Sequence, residues 1–284
     1  MATVTLKELR NFKHRVNPEE RQGAYGYYFI RPFSLYLTYL AIRGNLTANQ
    51  VTVLQIISGV AGAVCMAIPT TAGALAGLAL LQLGFVFDNV DGEVARFRKQ
   101  ASVTGKFLDS VGHEIVVPSM FFGLGVGTYF RTGNFESVIF GFLAGFFSLR
   151  LDIATLYQEA GQLIESKLNQ AYDYYASFKY TGVENLYKRK NEESPIRMLF
   201  GLFAYPATMN IICVIVLLDV WLAPFTFAER QFNLAYLFLA IYGSLLPLRR
   251  VITIRKLVRA RETEKKYVAL VELMRTEKKV PADR

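Results

Sequence analysis

Six apolar stretches, each close to the length that crosses a lipid bilayer, leave this chain few ways to fold in water. They cover roughly 51–68, 72–87, 115–130, 135–157, 197–221 and 232–248. Long runs of this kind, without the short alternation of half-buried strands, read as membrane-spanning helices. Composition agrees, with 52% of residues hydrophobic, 19% charged and a mean hydropathy of +0.26. An ordinary soluble domain is richer in charge. The expected fold class is all-α and integral to the membrane, with six transmembrane helices.

Local signals mark the ends of these helices. Residues 1–23 are polar and carry no cleavable leader pattern. Residues 27–43 mix Tyr, Phe and Leu with Arg31 and Arg43, as in an amphipathic helix lying in the membrane interface. Thr47 reads as the start of the first span, Pro69 as its end, and Thr132-Gly-Asn and Pro224 as turns. The third helix is expected to begin near Gly105, with its charges in the first turns. Residues 158–194 are polar and peripheral, and a charged helical tail follows from Arg249. The expected domain plan is 1–46 interfacial, 47–250 transmembrane and catalytic (158–194 as a polar insertion), and 251–284 tail.

Six spans place both termini on one side. Of the 32 lysines and arginines, all but Arg131 and Arg230 then fall on that side, which the positive-inside rule makes cytoplasmic. The net charge of +9 is thereby explained by topology and attraction to anionic lipid, and no nucleic-acid partner is expected. Cys65 and Cys213 lie inside apolar runs without a CxxC pattern, so they read as packed side chains.

Against this apolar background the carboxylates stand out. Asp88, Asp91, Gly92 and Ala95 are three and four residues apart, so they share one helix face, as do Gly105, Asp109 and His113 on the next helix. Ala72 to Phe87 spans about 24 Å at 1.5 Å per residue, which sets Asp88 near the bilayer edge. Three aspartates there repel one another unless a cation neutralises them. Mg²⁺ or Mn²⁺ prefers oxygen ligands and is commonly shared with substrate phosphates. Gly92, Ala95 and Gly105 lack bulk, so a flat nucleotide base can approach the backbone. The plainer alternative is that the carboxylates pair with Arg96, Arg98, Lys99 and Lys106. Other features are weaker: His14 reads as solvated, and Arg150 with Asp152 as a phosphate contact or a snorkelling pair. Lys188-Arg-Lys190 reads as a lipid anchor, and Gly123, Gly125 and Gly127 as helix-packing positions.

The pattern Asp88-x-x-Asp91-Gly92-x-x-Ala95-Arg96, eight residues, then Gly105-x-x-x-Asp109-x-x-x-His113 resembles the signature of the CDP-alcohol phosphotransferase family. That signature has aspartate in the final position. Asn49-Gln-Val-Thr52 resembles the family segment entering the first span, with Ala48 where the family has proline. The resemblance implies transfer of a phosphoalcohol or phosphatidyl group from a CDP-activated donor, such as a CDP-linked lipid, to a small or lipid alcohol, with release of CMP. It implies Asp88, Asp91 and Asp109 as ligands of divalent metal, Mg²⁺ or Mn²⁺, with the last position as base. Asn49, Thr52, Asp91, Gly92, Ala95 and Gly105 would line the CDP moiety, and Arg96 would support the charge network. A homodimer, a cytoplasmic-side site and membrane lipids as partners follow from the same resemblance.

His113 is the departure that matters. A neutral imidazole accepts a proton as competently as a carboxylate, yet it carries one negative charge fewer toward a second metal. Three readings stay open: His113 as the base, His113 as a metal ligand or water-orienting group, or loss of the fourth function. The last would leave a nucleotide- or lipid-binding membrane protein. A transporter would also use intramembrane carboxylates, but these charges cluster at one end of two helices, away from the midplane.

Overall fold

A computed structural model describes residues 30–149, 201–203, 205–222 and 224–260, together with Leu6, Glu8 and Leu9. His14, Arg150, Asp152, Lys188-Arg-Lys190, the 158–194 insertion and the tail beyond 260 lie outside the described residues. The elements are α1 (Arg31–Arg43), α2 (Ala48–Ala67), α3 (Thr71–Phe97), α4 (Val103–Thr132), α5 (Glu136–Ser148), α6 (Ala207–Trp221), β1 (Phe225–Phe227), β2 (Arg230–Phe232) and α7 (Leu234–Ala260).

The three helices that build the site start with one device, a hydroxyl that accepts from a backbone N–H of the first turn. Thr47 and Gln50 form a reciprocal pair: Gln50 N–H donates to Thr47 Oγ1 at 3.3 Å and Thr47 N–H donates to Gln50 Oε1 at 2.9 Å. Thr70 Oγ1 accepts from Gly73 N–H and Ser102 Oγ from Gly105 N–H, both at 3.0 Å. α4 therefore begins at Val103, slightly earlier than the expected start at Gly105. It ends at Thr132, where Gly133 takes a left-handed φ of 75°.

α2 and α3 run antiparallel in strict register. Thr52 meets Asp91, Gln55 meets Asp88, Gly62 meets Leu81, and Gly77 meets Met66. Lipid offers helices no hydrophobic gain from association, so close packing must hold them, and that needs small residues. A Cβ on Gly77 would sit 2.8 Å from the Gly62 carbonyl oxygen. α4 closes on α2 in the same way: side chains at Gly123 and Gly127 would strike the backbone oxygens of Ala63 and Met66. Gly125 faces the Ser137 carbonyl on α5. The three glycines are thus packing positions, as their spacing indicated. Val51, Met66, Leu81, Phe85, Met120, Phe121 and Leu124 fill the space between these helices.

α1 lies against α3. Ser34 and Thr38, one turn apart, donate to the two oxygens of Glu93 at 2.9 and 2.6 Å, and Arg98 donates to the Ile42 carbonyl at 3.3 Å.

Among the described residues three helices are long and apolar enough to cross a membrane: α2, α3 and Leu234–Lys256 of α7. α5 and α6 are shorter apolar helices. Large apolar side chains face outward, with Val64 61% and Trp221 86% exposed. In water such a surface would drive aggregation; in hydrocarbon it is the natural exterior. The chain is an integral membrane protein.

One expectation is corrected. The chain is mostly helical but not all-α: a two-stranded antiparallel hairpin follows Pro224, pairing Phe225 with Phe232 and Phe227 with Arg230. Ala228 and Glu229 both take positive φ, 48° and 62°, which gives a two-residue turn whose twist matches that of the strands. The helical tail expected from Arg249 continues the last apolar helix without a break, from Leu234 through Pro247 to Ala260. The chain divides into two units, Met1–Leu149 with Leu202–Leu246, and Arg150–Gly201 with Pro247–Arg284. The candidate site lies within the first; in the second, the described residues are Gly201 and the helical continuation to Ala260.

Candidate metal and nucleotide site

Asp88 projects from α3 near its C-terminal end, and Asp109 and His113 from the first turns of α4. Because the two helices are antiparallel and joined by a short connection, their polar ends lie side by side. His113 Nε2 stands 3.2 Å from Asp88 Oδ1 and 3.4 Å from Asp109 Oδ1. One ligand atom from each of the three residues falls within 4.8 Å of the others. Exposure rises outward: the Asp88 side chain is 9% exposed, His113 18% and Asp109 41%. The group is thus open toward water at Asp109 and closed toward the apolar interior at Asp88.

Two carboxylate oxygens and one imidazole nitrogen suit a divalent cation. Neighbouring ligands of an ion with bonds of about 2.1 Å lie roughly 3.0–3.4 Å apart, and the two separations from His113 match that chord. These residues offer a donor set that fits the metal the signature implies, two carboxylates and an imidazole, although a protonated His113 would itself pair with both carboxylates.

Asp91 stands apart from that trio. It is buried, and Thr52 donates to its Oδ2 at 2.6 Å. Asp88 has an equivalent partner one turn along α2: Gln55 Nε2 donates to its Oδ1 at 2.8 Å. Two consecutive polar positions of α2 therefore hold two consecutive aspartates of α3. Of the cations named as alternative partners, Arg98 reaches the Ile42 carbonyl on α1. The Arg96 guanidinium lies over Gly92, where a Cβ would stand 3.1 Å from its Nη1. The open face at Gly92 is therefore covered by the far end of a flexible side chain.

The CDP-lining candidates gather at the same end of α2, α3 and α4. Asn49 Oδ1 and Ser102 Oγ lie 3.4 and 3.3 Å from where a Cβ on Gly105 would be. Gly105 thus brings the start of α4 against the start of α2. Ala95 is half-buried on α3, one turn beyond Asp91.

Three contributors were missed in the sequence. Gln55 follows Thr52 by three residues on an apolar helix, a spacing that could have flagged it. Glu93 sits inside the signature at an unspecified position, and its partners Ser34 and Thr38 also share one helix face. Tyr205 carried no signal: its ring lies 4.8 Å from the His113 ring and edge-on to Phe85 at 5.6 Å, a contact across 92 positions of chain that no spacing reveals.

No curated protein matches the chain. The sequence model of the CDP-alcohol phosphatidyltransferase family does, over residues 45–173. That stretch contains Asn49, Thr52, Gln55, the three aspartates and His113, and the family generally depends on divalent metal. The acidic ends of α3 and α4 accordingly belong to a CDP-alcohol phosphatidyltransferase domain, which this chain carries over residues 45–173.

Proposed function

We propose that the chain transfers a phosphatidyl or related phosphoalcohol group from a CDP-linked lipid to an alcohol acceptor and releases CMP. The observation that carries the reading is the convergence of Asp88, Asp109 and His113 from two helices of the matched domain. Divalent metal, Mg²⁺ or Mn²⁺, would supply charge neutralisation of the diphosphate and stabilisation of the leaving CMP. Asp88 and Asp109 would hold it, with Asp91 contributing from the Thr52 side. Asn49, Thr52, Gly92, Ala95 and Gly105 would accommodate the cytidine and its phosphates, and Arg96, by swinging off Gly92, would meet their charge.

His113 is proposed as the base that takes the acceptor hydroxyl's proton, so that the oxygen attacks the phosphorus bearing the lipid. Tyr205 against its ring limits how far the imidazole can turn. A second reading has a specific observation behind it: the same Nε2 faces both carboxylate oxygens, the position of a metal ligand. One nitrogen cannot hold a cation and accept a proton together. Turnover of His113→Ala separates the two when read beside Mn²⁺ affinity. A base leaves affinity near wild type and lowers turnover; a ligand lowers affinity first.

The proposal extends to six spans, a catalytic domain over 47–250 between an interfacial 1–46 segment and a 251–284 tail, and a cytoplasmic site beside both termini. It also includes a homodimer. The one-sided placement of Lys and Arg supports the orientation; family resemblance supports the dimer. The direct test is CMP release by the purified protein with a CDP-diacylglycerol or ether-linked donor, a panel of alcohols, and Mg²⁺ or Mn²⁺. Metal-dependent CMP release with one acceptor class supports the reading. CDP binding without release under every combination would favour the binding-protein alternative.

A further inference from the structure

Among the described residues, Gln55 is a buried amide that touches the site and lies outside the signature. Its side chain is 2% exposed. Nε2 donates to Asp88 Oδ1 at 2.8 Å, while Oε1 is buried with no hydrogen-bond partner. A fully buried carbonyl without a donor is costly, and an amide can usually relieve the cost by turning over. Here turning over would set Oε1 against a carboxylate oxygen and remove Asp88's donor. The orientation is fixed by Asp88, and the amide tolerates an orphaned acceptor to keep that bond. The surroundings leave Gln55 little freedom. Gly112 and Ile56 close the space beside Oε1, where a Cβ on Gly112 would lie 3.8 Å from that oxygen and 3.1 Å from Ile56 Cγ1.

From this geometry we infer that Gln55 is a positioning residue for the metal site: it orients the Asp88 carboxylate so that cation binding needs no rearrangement of the deepest ligand. The inference rests on the proposal that Asp88 is a ligand. Partners of this kind, one bond removed from a metal, typically set affinity by 10–100-fold. Thr52 stands in the same relation to Asp91, but its hydroxyl, set between Asp91 Oδ2 and the Ala48 carbonyl, is not left without a partner. Of these two α2 residues, Gln55 is the one left with an unsatisfied buried atom.

The test is Mn²⁺ titration of the purified full chain, followed by the magnetic resonance of free Mn²⁺, with Gln55→Met, Gln55→Leu and Asp88→Asn beside wild type. Gln55→Met keeps length and removes both the donor and the orphaned carbonyl; Gln55→Leu stands in should it fail to fold. The expected result is a Mn²⁺ dissociation constant raised about 10-fold, with turnover recovering toward wild type at saturating Mn²⁺. A purely structural role would instead lower the metal-free melting temperature and leave the dissociation constant within twofold; that result overturns the inference. If Asp88→Asn loses Mn²⁺ while both Gln55 variants keep wild-type affinity, Gln55 alone is misassigned. If Asp88→Asn binds Mn²⁺ as wild type does, the ligand reading itself falls, and the inference with it.

Discussion

The two ends of the α2–α3–α4 bundle use their polar residues in opposite ways. At the end where α4 stops, several polar groups serve structural jobs. Asp219 accepts from the backbone N–H groups of Leu234 and Ala235 at 2.8 and 2.9 Å, capping α7. Asn134 donates to the Gln231 carbonyl of the hairpin, and Arg230 meets Glu136 at 2.8 Å. At the end where α4 begins, Asp88 and Asp109 have been brought toward each other with His113 between them. Polar groups used at helix ends and loops build architecture; two carboxylates converging on one imidazole make a donor set for a cation. This difference, rather than the number of charges, separates the candidate site from its counterpart.

Four substitutions probe that contrast, in falling order of expected effect. Asp88→Asn, within the acidic end, should lower metal-dependent CMP release by about 10³-fold, since charge stabilisation by a metal is worth several kcal/mol. The protein should still fold, because a like-charge contact has been removed. His113→Ala should lower turnover by roughly 10²–10⁴-fold, the usual range for a lost general base, with partial recovery in His113→Asp. Full activity in His113→Ala would remove the imidazole from the mechanism.

Thr52→Val should destabilise the fold by about 1–3 kcal/mol, since it leaves Asp91 buried without its donor. Added Mg²⁺ or Mn²⁺ should restore part of that loss if Asp91 also reaches the ion, which thermal unfolding with and without metal would show. Asp219→Ala, at the structural end, should cost about 1 kcal/mol of stability through the lost cap and leave turnover per folded molecule unchanged. If Asp219→Ala cut catalysis as deeply as Asp88→Asn, the contrast between the two ends would be false.

Sequence pattern revealed the helices and the acidic pair unevenly, for physical reasons. Thr47 caps its helix through a neighbour three residues away, and a local reading reaches that start; Thr70 and Ser102 use the same spacing, but the sequence reading marks neither as a cap. Asp88 and Asp91, or Asp109 and His113, share a face by the same short arithmetic. What the reading did not reach is held by distant partners. Gln55 and Asp88 are 33 positions apart, and Ser34 and Glu93 are 59 apart. Their pairing depends on the α2–α3 register and on where α1 docks, which helical period leaves undetermined. The hairpin was hidden for another reason. Its turn is Ala228-Glu229, without the Asn or Gly that usually announces two positive φ values.

The central claim is that the polar ends of α3 and α4 jointly hold a divalent ion against a CDP group. The most direct measurement is anomalous diffraction at the manganese edge from crystals grown with Mn²⁺ and CDP. The account predicts a manganese peak within bonding distance of Asp88 and Asp109, with the diphosphate beside it and the cytidine near Gly92 and Gly105. Manganese elsewhere, or none between those two carboxylates with CDP bound, would contradict it.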